Sequence, residues 1–317
     1  MQEKQDKKIK RVGVLRGGTE KHYASSLKKG GEIISHIFEN LSDKWMPVDI
    51  LIDKEGIWHL NGMPISPADL MHRVDVVWNT AHLSFSVTLD NLSIPNVSHG
   101  SFSSALGNNR EMLREHIKQI GIEMPRSIIL PVYQKDFDGP RERYAIKKAK
   151  EVFEKFPSPW IVKSFTPDSN MGIHLAKTFN ELAGAIEDGV KHEKSVLVEE
   201  FIAGKVASVH SVPYFRGQNI YTFPLGNSFG IPPRLGEAGF SADEKERLTA
   251  LAKDLHTHIG AKHYLKSDFV LSPRGKAYLL QVESMPDLKP DSHFSQVCES
   301  VGAKMHNVIE HIIKNVL

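Results

Sequence analysis

The last apolar hairpin of the chain constrains the fold more than any other segment. Residues 266–283 read KSDFVLSPRGKAYLLQVE, two apolar runs around a Ser-Pro-Arg-Gly turn, and this pattern predicts two antiparallel strands. Because alternate residues of a strand point to one face, four polar residues are predicted to share a face: Lys266, Asp268, Gln281 and Glu283. A carboxylate beside a sheet core is costly unless a cation or a donor meets it. This face is therefore either a solvated cross-strand pair or one wall of a charged site.

The two carboxylates of this face are suited to a hard cation. Mg²⁺ in proteins is commonly held by one or two carboxylates together with substrate phosphates. Asp268 and Glu283 would supply those oxygens, with Gln281 as a neutral ligand or as a group that orients them. On this stretch alone, the cation site and the solvated face stay equally open.

A lysine within an apolar strand gives a second signal. Lys163 lies in WIVKSF, just before the polar loop TPDSNMG. A lysine on an inward-facing strand position can meet a phosphate as a point charge, and the loop offers backbone N–H groups and the hydroxyls of Ser164 and Ser169. The alternative is an edge-strand lysine that faces water.

A third signal is the strand end SVLVEEFI, which closes with Glu199, Glu200, Phe201 and Ile202. A carboxylate or backbone group here could bind the exocyclic amine of a flat base or a ribose hydroxyl, and the alternative is a strand that leaves the core. Four histidines lie in predicted loops, where they could contact a substrate or be ordinary surface residues: His22, His82, His99 and His293.

Composition excludes several classes of function. The net charge is +2, so no global field favours nucleic acid or an anionic membrane as a partner. No apolar run reaches the roughly 18 residues that a membrane span needs, and the charged start MQEKQDKKIKR does not resemble a signal peptide. Cys298 is the one cysteine, so an internal disulfide is impossible. A cytoplasmic location is predicted.

Apolar strands alternate with helical segments over roughly the first hundred residues, which predicts a small parallel α/β sheet. One of these strands is predicted over residues 75–82, and the Gly-rich turn RGGT could bind an anion at a helix N-terminus or be a plain turn. A helix follows over SSALGNNREMLREHIKQI, with Gly121 as its C-cap.

Another segment, ERYAIKKAKEVFEKF, has the pattern of an amphipathic helix. Its apolar residues are Ala149, Val152, Phe153 and Phe156.

The order of five motifs resembles the ATP-grasp superfamily, and within it the D-alanine–D-alanine ligases. These motifs are the strand lysine, the Ser-containing loop, VLVEEFI, KSDF and YLLQVESMP. Three further segments extend the resemblance over nearly the whole chain: VLRGGT, IPNVSHGSFSSALGNNREMLR and MPDLKPDSHF. It implies a small N-terminal parallel α/β subdomain, then two α+β subdomains that enclose a nucleotide cleft. The implied boundaries are 1–106, 107–202 and 203–317.

The resemblance also implies residue roles. For ATP, it implies phosphate contacts by Arg110 and Lys163 and base contacts by Glu199, Glu200, Phe201 and Ile202. For catalysis, it places Ser169 in a closing loop and Lys266 where an arginine stabilises the tetrahedral intermediate. For the metal and the two substrates, the matching positions are Asp268, Gln281, Glu283, His22 and Ser292.

Some positions depart from the family pattern. The family's Glu-x-Asn metal pair reads Gln281-x-Glu283 here, which keeps the charge but puts bridging of two ions by one carboxylate in doubt. Where the family has an acidic residue that holds the first substrate's ammonium, this chain has His22. Where the family has an acid that contacts the ribose hydroxyls, this chain has Val206. The nucleotide elements thus match better than the D-alanine elements.

The function implied is ATP-dependent carboxylate–amine ligation through an acyl phosphate, with Mg²⁺ or Mn²⁺ and small amino-acid substrates. A D-alanine–D-alanine ligase for peptidoglycan precursors, acting as a possible homodimer, is the first hypothesis. His22 favours an alternative, a ligase for another amino acid or peptide. Gln281 and Lys266 favour another, an ATP-binding protein with impaired catalysis.

Overall fold

A computed structural model describes residues 9–18, 23–98, 106, 109–165, 171–192, 195–227 and 239–317. The chain groups into two compact units. The first comprises Met1–Ile122, Val206–Phe269 and Gln281–Leu317, and the second comprises Glu123–Lys205 and Val270–Leu280. The three-part division expected from the sequence stays a prediction.

The described strands are β1 Lys10–Gly17, β2 Trp45–Ile52, β3 Trp58–Leu60, β4 Met63–Ile65, β5 Val76–Asn79, β6 Asn96–Val97, β7 Ser127–Leu130, β8 Trp160–Ser164, β9 His174–Ala176, β10 Val196–Glu200, β11 Lys205–Pro213, β12 Ile220–Thr222, β13 Gly226–Asn227, β14 Leu265–Leu271 and β15 Ala277–Glu283. The described α-helices are α1 Tyr23–Asn40, α2 Ser84–Asn91, α3 Arg110–Ile117, α4 Lys135–Asp138, α5 Arg141–Lys155, α6 Phe179–Lys191, α7 Ala242–His258, α8 His293–Ser300 and α9 Met305–Lys314.

The N-terminal sheet has the strand order β4-β3-β2-β1-β5-β6. Strand β1 pairs in parallel with β2 and β5, and β5 with β6, so the predicted parallel sheet is confirmed. Strand β5 ends at Asn79, three residues before the predicted end at His82. The reason is a local turn, since the Asn79 side chain accepts a hydrogen bond from the Ala81 N–H at 2.9 Å.

Helix α1 packs on this sheet at a glycine. A Cβ atom on Gly30 would lie 2.8 Å from the Cβ of Arg16 on β1, so glycine permits the close approach. The Arg16 guanidinium in turn binds Asp49 on β2 through two hydrogen bonds of 2.6 Å.

The second unit contains an antiparallel sheet with the order β7-β10-β8-β9. The amphipathic helix of this unit, α5, buries Ala149 and Val152 as predicted. Phe153, predicted on the same face, is 55% exposed, because it lies at the edge of that face against the rings of Trp160 and Phe179. Phe156 is buried, but its backbone is extended, so it is the C-cap and the helix ends before it.

The helix predicted around Leu113 begins later than expected. Asn109 is extended and accepts a hydrogen bond from the Met112 N–H, so it is the N-cap of α3, and residues 101–105 and 107–108 lie outside the described part. Gly121 has a φ of 72° and ends the following 3₁₀ turn, which confirms the predicted C-cap.

The last sheet has the order β12-β11-β14-β15, with β13 beside β11. The predicted hairpin is therefore present as β14 and β15. Its polar face is presented by residues 266–268 and 281–283, which belong to the first unit.

Candidate functional site

Four polar side chains meet on the face of β14 and β15, where strand alternation predicts them. The Lys266 ammonium lies 3.1 Å from Asp268 Oδ2 and 3.4 Å from Glu283 Oε1. The Gln281 amide nitrogen donates to the same two oxygens at 2.7 and 3.1 Å. Both carboxylates therefore converge on one ammonium and one amide.

This arrangement explains how Asp268 is buried at 6% exposure. One of its oxygens accepts hydrogen bonds from Gln281 and Lys266, and the other accepts one from the Ser208 hydroxyl on β11. Burial acts to lower the pKa of Lys266, but attraction from Asp268 and Glu283 and their hydrogen bonds outweigh it, so the pKa is raised. Lys266 thus stays charged at neutral pH.

The donor set fits a divalent cation that arrives with phosphate. Within the described ranges, no group of three or more His, Cys, Asp or Glu side chains is placed to hold a metal. Two carboxylates that already converge on one cationic group do match the partial ligand set that Mg²⁺ takes alongside phosphates. Gln281 presents its amide nitrogen, so in this arrangement it orients the carboxylates.

The polar face continues toward three residues that the sequence patterns did not connect. His210 on β11 contacts the Tyr264 hydroxyl through Nδ1 at 2.6 Å and His293 Nδ1 through Nε2 at 2.7 Å. His293, expected in a loop, is the first residue of α8. Alternation on β11 does place His210 on the face of Ser208, but the partner lies 83 residues along the chain.

The second unit holds the other charged group. Lys163 on β8 pairs with Glu199 on β10 at 2.7 Å, and Glu199 is only 4% exposed. The two strands are antiparallel, with Lys163 opposite Leu197, so Lys163 and Glu199 share a face two positions apart. Lys163 is therefore paired beside the sheet, and an edge lysine facing water is not what the structure contains.

Glu200 points the other way, as the next residue of a strand must. The Arg126 guanidinium binds it through two hydrogen bonds of 2.9 and 3.0 Å, which lower the pKa of Glu200 against the effect of burial. Phe201 follows the strand and donates its N–H to the Pro159 carbonyl, with Ile202 next and partly buried. Glu199, and not Glu200, is thus the carboxylate on the same face of the sheet as Lys163.

The remaining predicted residues are placed as follows. Arg110 is the first residue of α3, in the turn where the helix dipole is positive. Ser292 is the N-cap of α8, and its hydroxyl accepts from the Ser295 N–H at 3.1 Å and donates to the Asp287 carbonyl at 2.9 Å. His22 and Ser169 lie outside the described residues.

Comparison with solved structures defines the class of fold. The VanG D-Ala:D-Ser ligase from Enterococcus faecalis matches with a TM-score of 0.71 and 18% identity over 98% of this chain and 100% of that one. The D-alanine–D-alanine ligase from Bacillus anthracis, solved with ATP, matches with a TM-score of 0.66 and 19% identity over 97% of both chains. The fold is thus that of the ATP-grasp ligases, and the predicted fold class is confirmed.

Sequence comparison then gives the family. The D-alanine–D-alanine ligase of Azobacteroides pseudotrichonymphae is 21% identical over 97% of this chain and its own full length. The family model for the D-ala D-ala ligase C-terminus matches residues 117–212 and 235–314. The chain belongs to this family.

The described helices differ from membrane spans in length or hydropathy. None of those in the described part of the chain is both long and apolar enough to cross a membrane.

Proposed function

We propose that this chain joins two small amino acids in an ATP-dependent reaction, with D-alanine as the first substrate and the dipeptide serving peptidoglycan synthesis. The observation that carries the proposal is the convergence of Asp268 and Glu283 on a common cationic group, at the positions where the family resemblance implies metal ligands. The names of the relatives support D-alanine as substrate. A cytoplasmic homodimer completes the proposal.

The first step transfers a phosphoryl group. The carboxylate of the first amino acid attacks the γ-phosphorus of ATP, ADP leaves, and an acyl phosphate forms. Lys163 and Arg110 are proposed to bind the phosphates and offset charge during the transfer. Asp268 and Glu283 would hold a Mg²⁺ ion, which when bound supplies further charge neutralisation at the phosphates.

The second step forms the C–N bond. The amine of the second amino acid attacks the acyl carbon, and negative charge develops on the acyl oxygen. Lys266 is proposed to stabilise this oxyanion, because its raised pKa keeps the ammonium charged. The tetrahedral intermediate then expels phosphate with the bonding electron pair, and the amine loses a proton. The loop that contains Ser169 is proposed to exclude water from the acyl phosphate.

A second candidate function differs in the second substrate, whose amine attacks the acyl phosphate. The Ser292 hydroxyl, expected to hold the second substrate's carboxylate, is occupied by bonds to Ser295 and Asp287. This favours a ligase whose second substrate is an amino acid or peptide other than D-alanine.

ADP release with a panel of amino acids tests the proposal. We expect release that depends on D-alanine, with the second amino acid identified by mass spectrometry of the product, and no release with L-alanine. Glu283→Gln should lower the rate by about 100-fold, since a metal ion contributes several kcal/mol of charge stabilisation, whereas the exposed Glu246→Gln should not. Tight ATP binding without turnover on any acceptor would reject the ligase assignment.

A further inference from the structure

The ammonium group of Lys266 is itself a cation held by the two carboxylates of the proposed metal site. Its nitrogen is 3.1 Å from Asp268 Oδ2 and 3.4 Å from Glu283 Oε1, so it bridges the two side chains. Lys266 and Asp268 belong to β14 and Glu283 to β15, so the bridge spans both strands of the hairpin. The chain therefore supplies a cation of its own to the pair that fits a divalent ion.

The carboxylate oxygens that face this ammonium also accept from a second donor. The Gln281 amide nitrogen donates to Asp268 Oδ2 at 2.7 Å and to Glu283 Oε1 at 3.1 Å. Each oxygen thus meets two donors, which is the number of lone pairs that a carboxylate oxygen offers. The other oxygen of Asp268 accepts from the Ser208 hydroxyl. Asp268 can therefore bind a divalent ion only if one of its donors leaves.

Charge decides which donor leaves. Gln281 and Ser208 are neutral. Burial lowers the pKa of Lys266, but the attraction of Asp268 and Glu283 and their hydrogen bonds outweigh it, so the pKa is raised and the ammonium stays charged. Two cations at ion-pair distance from the same oxygens repel each other strongly in a partly buried site. Lys266, which carries its charge on a long flexible stem, is thus the donor that a divalent ion excludes.

Departure of Lys266 from the carboxylates has a cost that an anion can offset. The Lys266 side chain is 21% exposed, and an ammonium that leaves its carboxylates in such surroundings lacks a counter-charge. The phosphates of a nucleotide provide negative charge for the released ammonium. A divalent ion that enters together with phosphate therefore displaces Lys266 at a lower cost than an ion that enters alone.

We propose that Lys266 is an internal cation that exchanges with the divalent ion. Lys266 bridges Asp268 and Glu283 until a metal ion enters with the nucleotide, and it then leaves the carboxylates. Gln281 and Ser208 are positioning residues that hold the carboxylates through the exchange. This inference rests on the proposed function, because stabilisation of an oxyanion by Lys266 requires an ammonium released from these carboxylates. The chain thereby releases that group only after the phosphoryl donor is bound.

The affinity for metal without nucleotide tests the competition. In Lys266→Met the carboxylates lose their internal cation, so Mn²⁺ alone should bind at least about 10-fold more tightly than to the wild-type protein, measured by electron paramagnetic resonance. Lys266→Arg keeps the charge and should retain the weak wild-type binding. The exposed Lys262→Met removes a positive charge from the surface and should also bind like the wild-type protein. If Lys266 only held the carboxylates in place, its removal would weaken Mn²⁺ binding instead.

Nuclear magnetic resonance of the wild-type protein tests the exchange directly. In protein with ¹³C-labelled lysine, the Cε signal of Lys266 is assigned by its loss in Lys266→Arg. This signal should shift when Mg²⁺ and a non-hydrolysable ATP analogue are added together, because the ammonium leaves the carboxylates. It should stay unchanged when Mg²⁺ is added alone. If Lys266→Met does not fold, the wild-type signal decides.

The outcomes distinguish the exchange from the proposed function. The exchange is overturned if folded Lys266→Met binds Mn²⁺ no more tightly than the wild-type protein. It is also overturned if the Lys266 signal is unchanged in a complex that holds both metal and nucleotide. Dipeptide formation by the wild-type protein would then leave the ligase function standing. If the signal shifts as expected but no amino acid supports ADP release, the proposed function fails and the exchange of cations stands.

Discussion

At the residue scale, each of the two units contains a buried carboxylate that is paired with a lysine. Asp268 and Glu199 are both nearly inaccessible, and each has a lysine within hydrogen-bond distance. Strand alternation predicted the group around Asp268, because period two is fixed by backbone geometry. It could not predict that Lys163 meets Glu199, since that depends on the antiparallel register of β8 and β10.

Metal binding should require nucleotide. The described residues provide two carboxylates at the hairpin, which already accept hydrogen bonds from Lys266 and Gln281, so phosphate oxygens must complete the ligand set. Electron paramagnetic resonance of Mn²⁺ should show weak binding to the protein alone and tight binding with an ATP analogue. Asp268→Asn should abolish the tight binding, and Glu246→Gln should preserve it. Tight Mn²⁺ binding without nucleotide would contradict this.

The Lys163–Glu199 pair should have separable roles in stability and in binding. Lys163→Met leaves Glu199 buried without this cation and should lower the free energy of unfolding by about 3 kcal/mol. Adding Glu199→Gln should restore much of that stability but not ATP affinity, measured by calorimetry. Unchanged ATP affinity in Lys163→Met would show that Lys163 does not bind the phosphates.

At the element scale, local patterns predicted most helices and strands, and the errors have local causes. The segment FNELAGAIEDGVK predicts a helix, and α6 has the same bounds. Its start is fixed by a capping box between the Thr178 N-cap and Glu181. The segment SLKKGGEIISHIFENL also predicts a helix, although Gly30 and Gly31 weaken its helical pattern. The structure shows what the sequence could not, that one of those glycines lies against β1.

The neighbouring glycines of α1 give a matched pair of variants. Gly30→Ala places a methyl group 2.8 Å from the Arg16 Cβ and should destabilise the protein by about 1–3 kcal/mol. Gly31 has no atom within 4 Å of an added Cβ, so Gly31→Ala should stabilise by up to about 1 kcal/mol through helix propensity. Denaturant unfolding measures both. Equal effects of the two substitutions would contradict the packing of α1 on β1.

Strand β11 should make stability sensitive to acid through His210. Burial, then repulsion from His293 and Lys266, hold its pKa well below the usual value. Below about pH 6.5 the unfolded chain binds a proton that the folded chain does not, so stability falls with falling pH, by at most about 1.4 kcal/mol per unit for each such group.

His210→Gln should therefore lose less stability than the wild-type protein when the pH falls from neutral toward the lowered pKa. Thermal unfolding at several pH values measures this, with exposed His72→Gln retaining the wild-type acid loss. An acid loss in His210→Gln equal to that of the wild-type protein would show that His210 is not held neutral.

At the scale of the whole molecule, the order of the motifs predicted the class of fold. Each motif alone is weak evidence, and the ordered set is much more specific. The comparisons confirm that class and the family. Composition and periodicity could not assign the network of Tyr264, His210 and His293. Its members come from separate elements that only the folded sheet and α8 bring together.

The central claim is that this chain activates a carboxylate as an acyl phosphate before the amine attacks. The most direct test supplies D-alanine with ¹⁸O in its carboxylate, together with ATP and the acceptor amino acid, and analyses the released phosphate by mass spectrometry. An acyl phosphate keeps one carboxylate oxygen on phosphorus, so we predict one ¹⁸O atom in the phosphate for each C–N bond formed. Bond formation with no ¹⁸O in the phosphate would contradict the account.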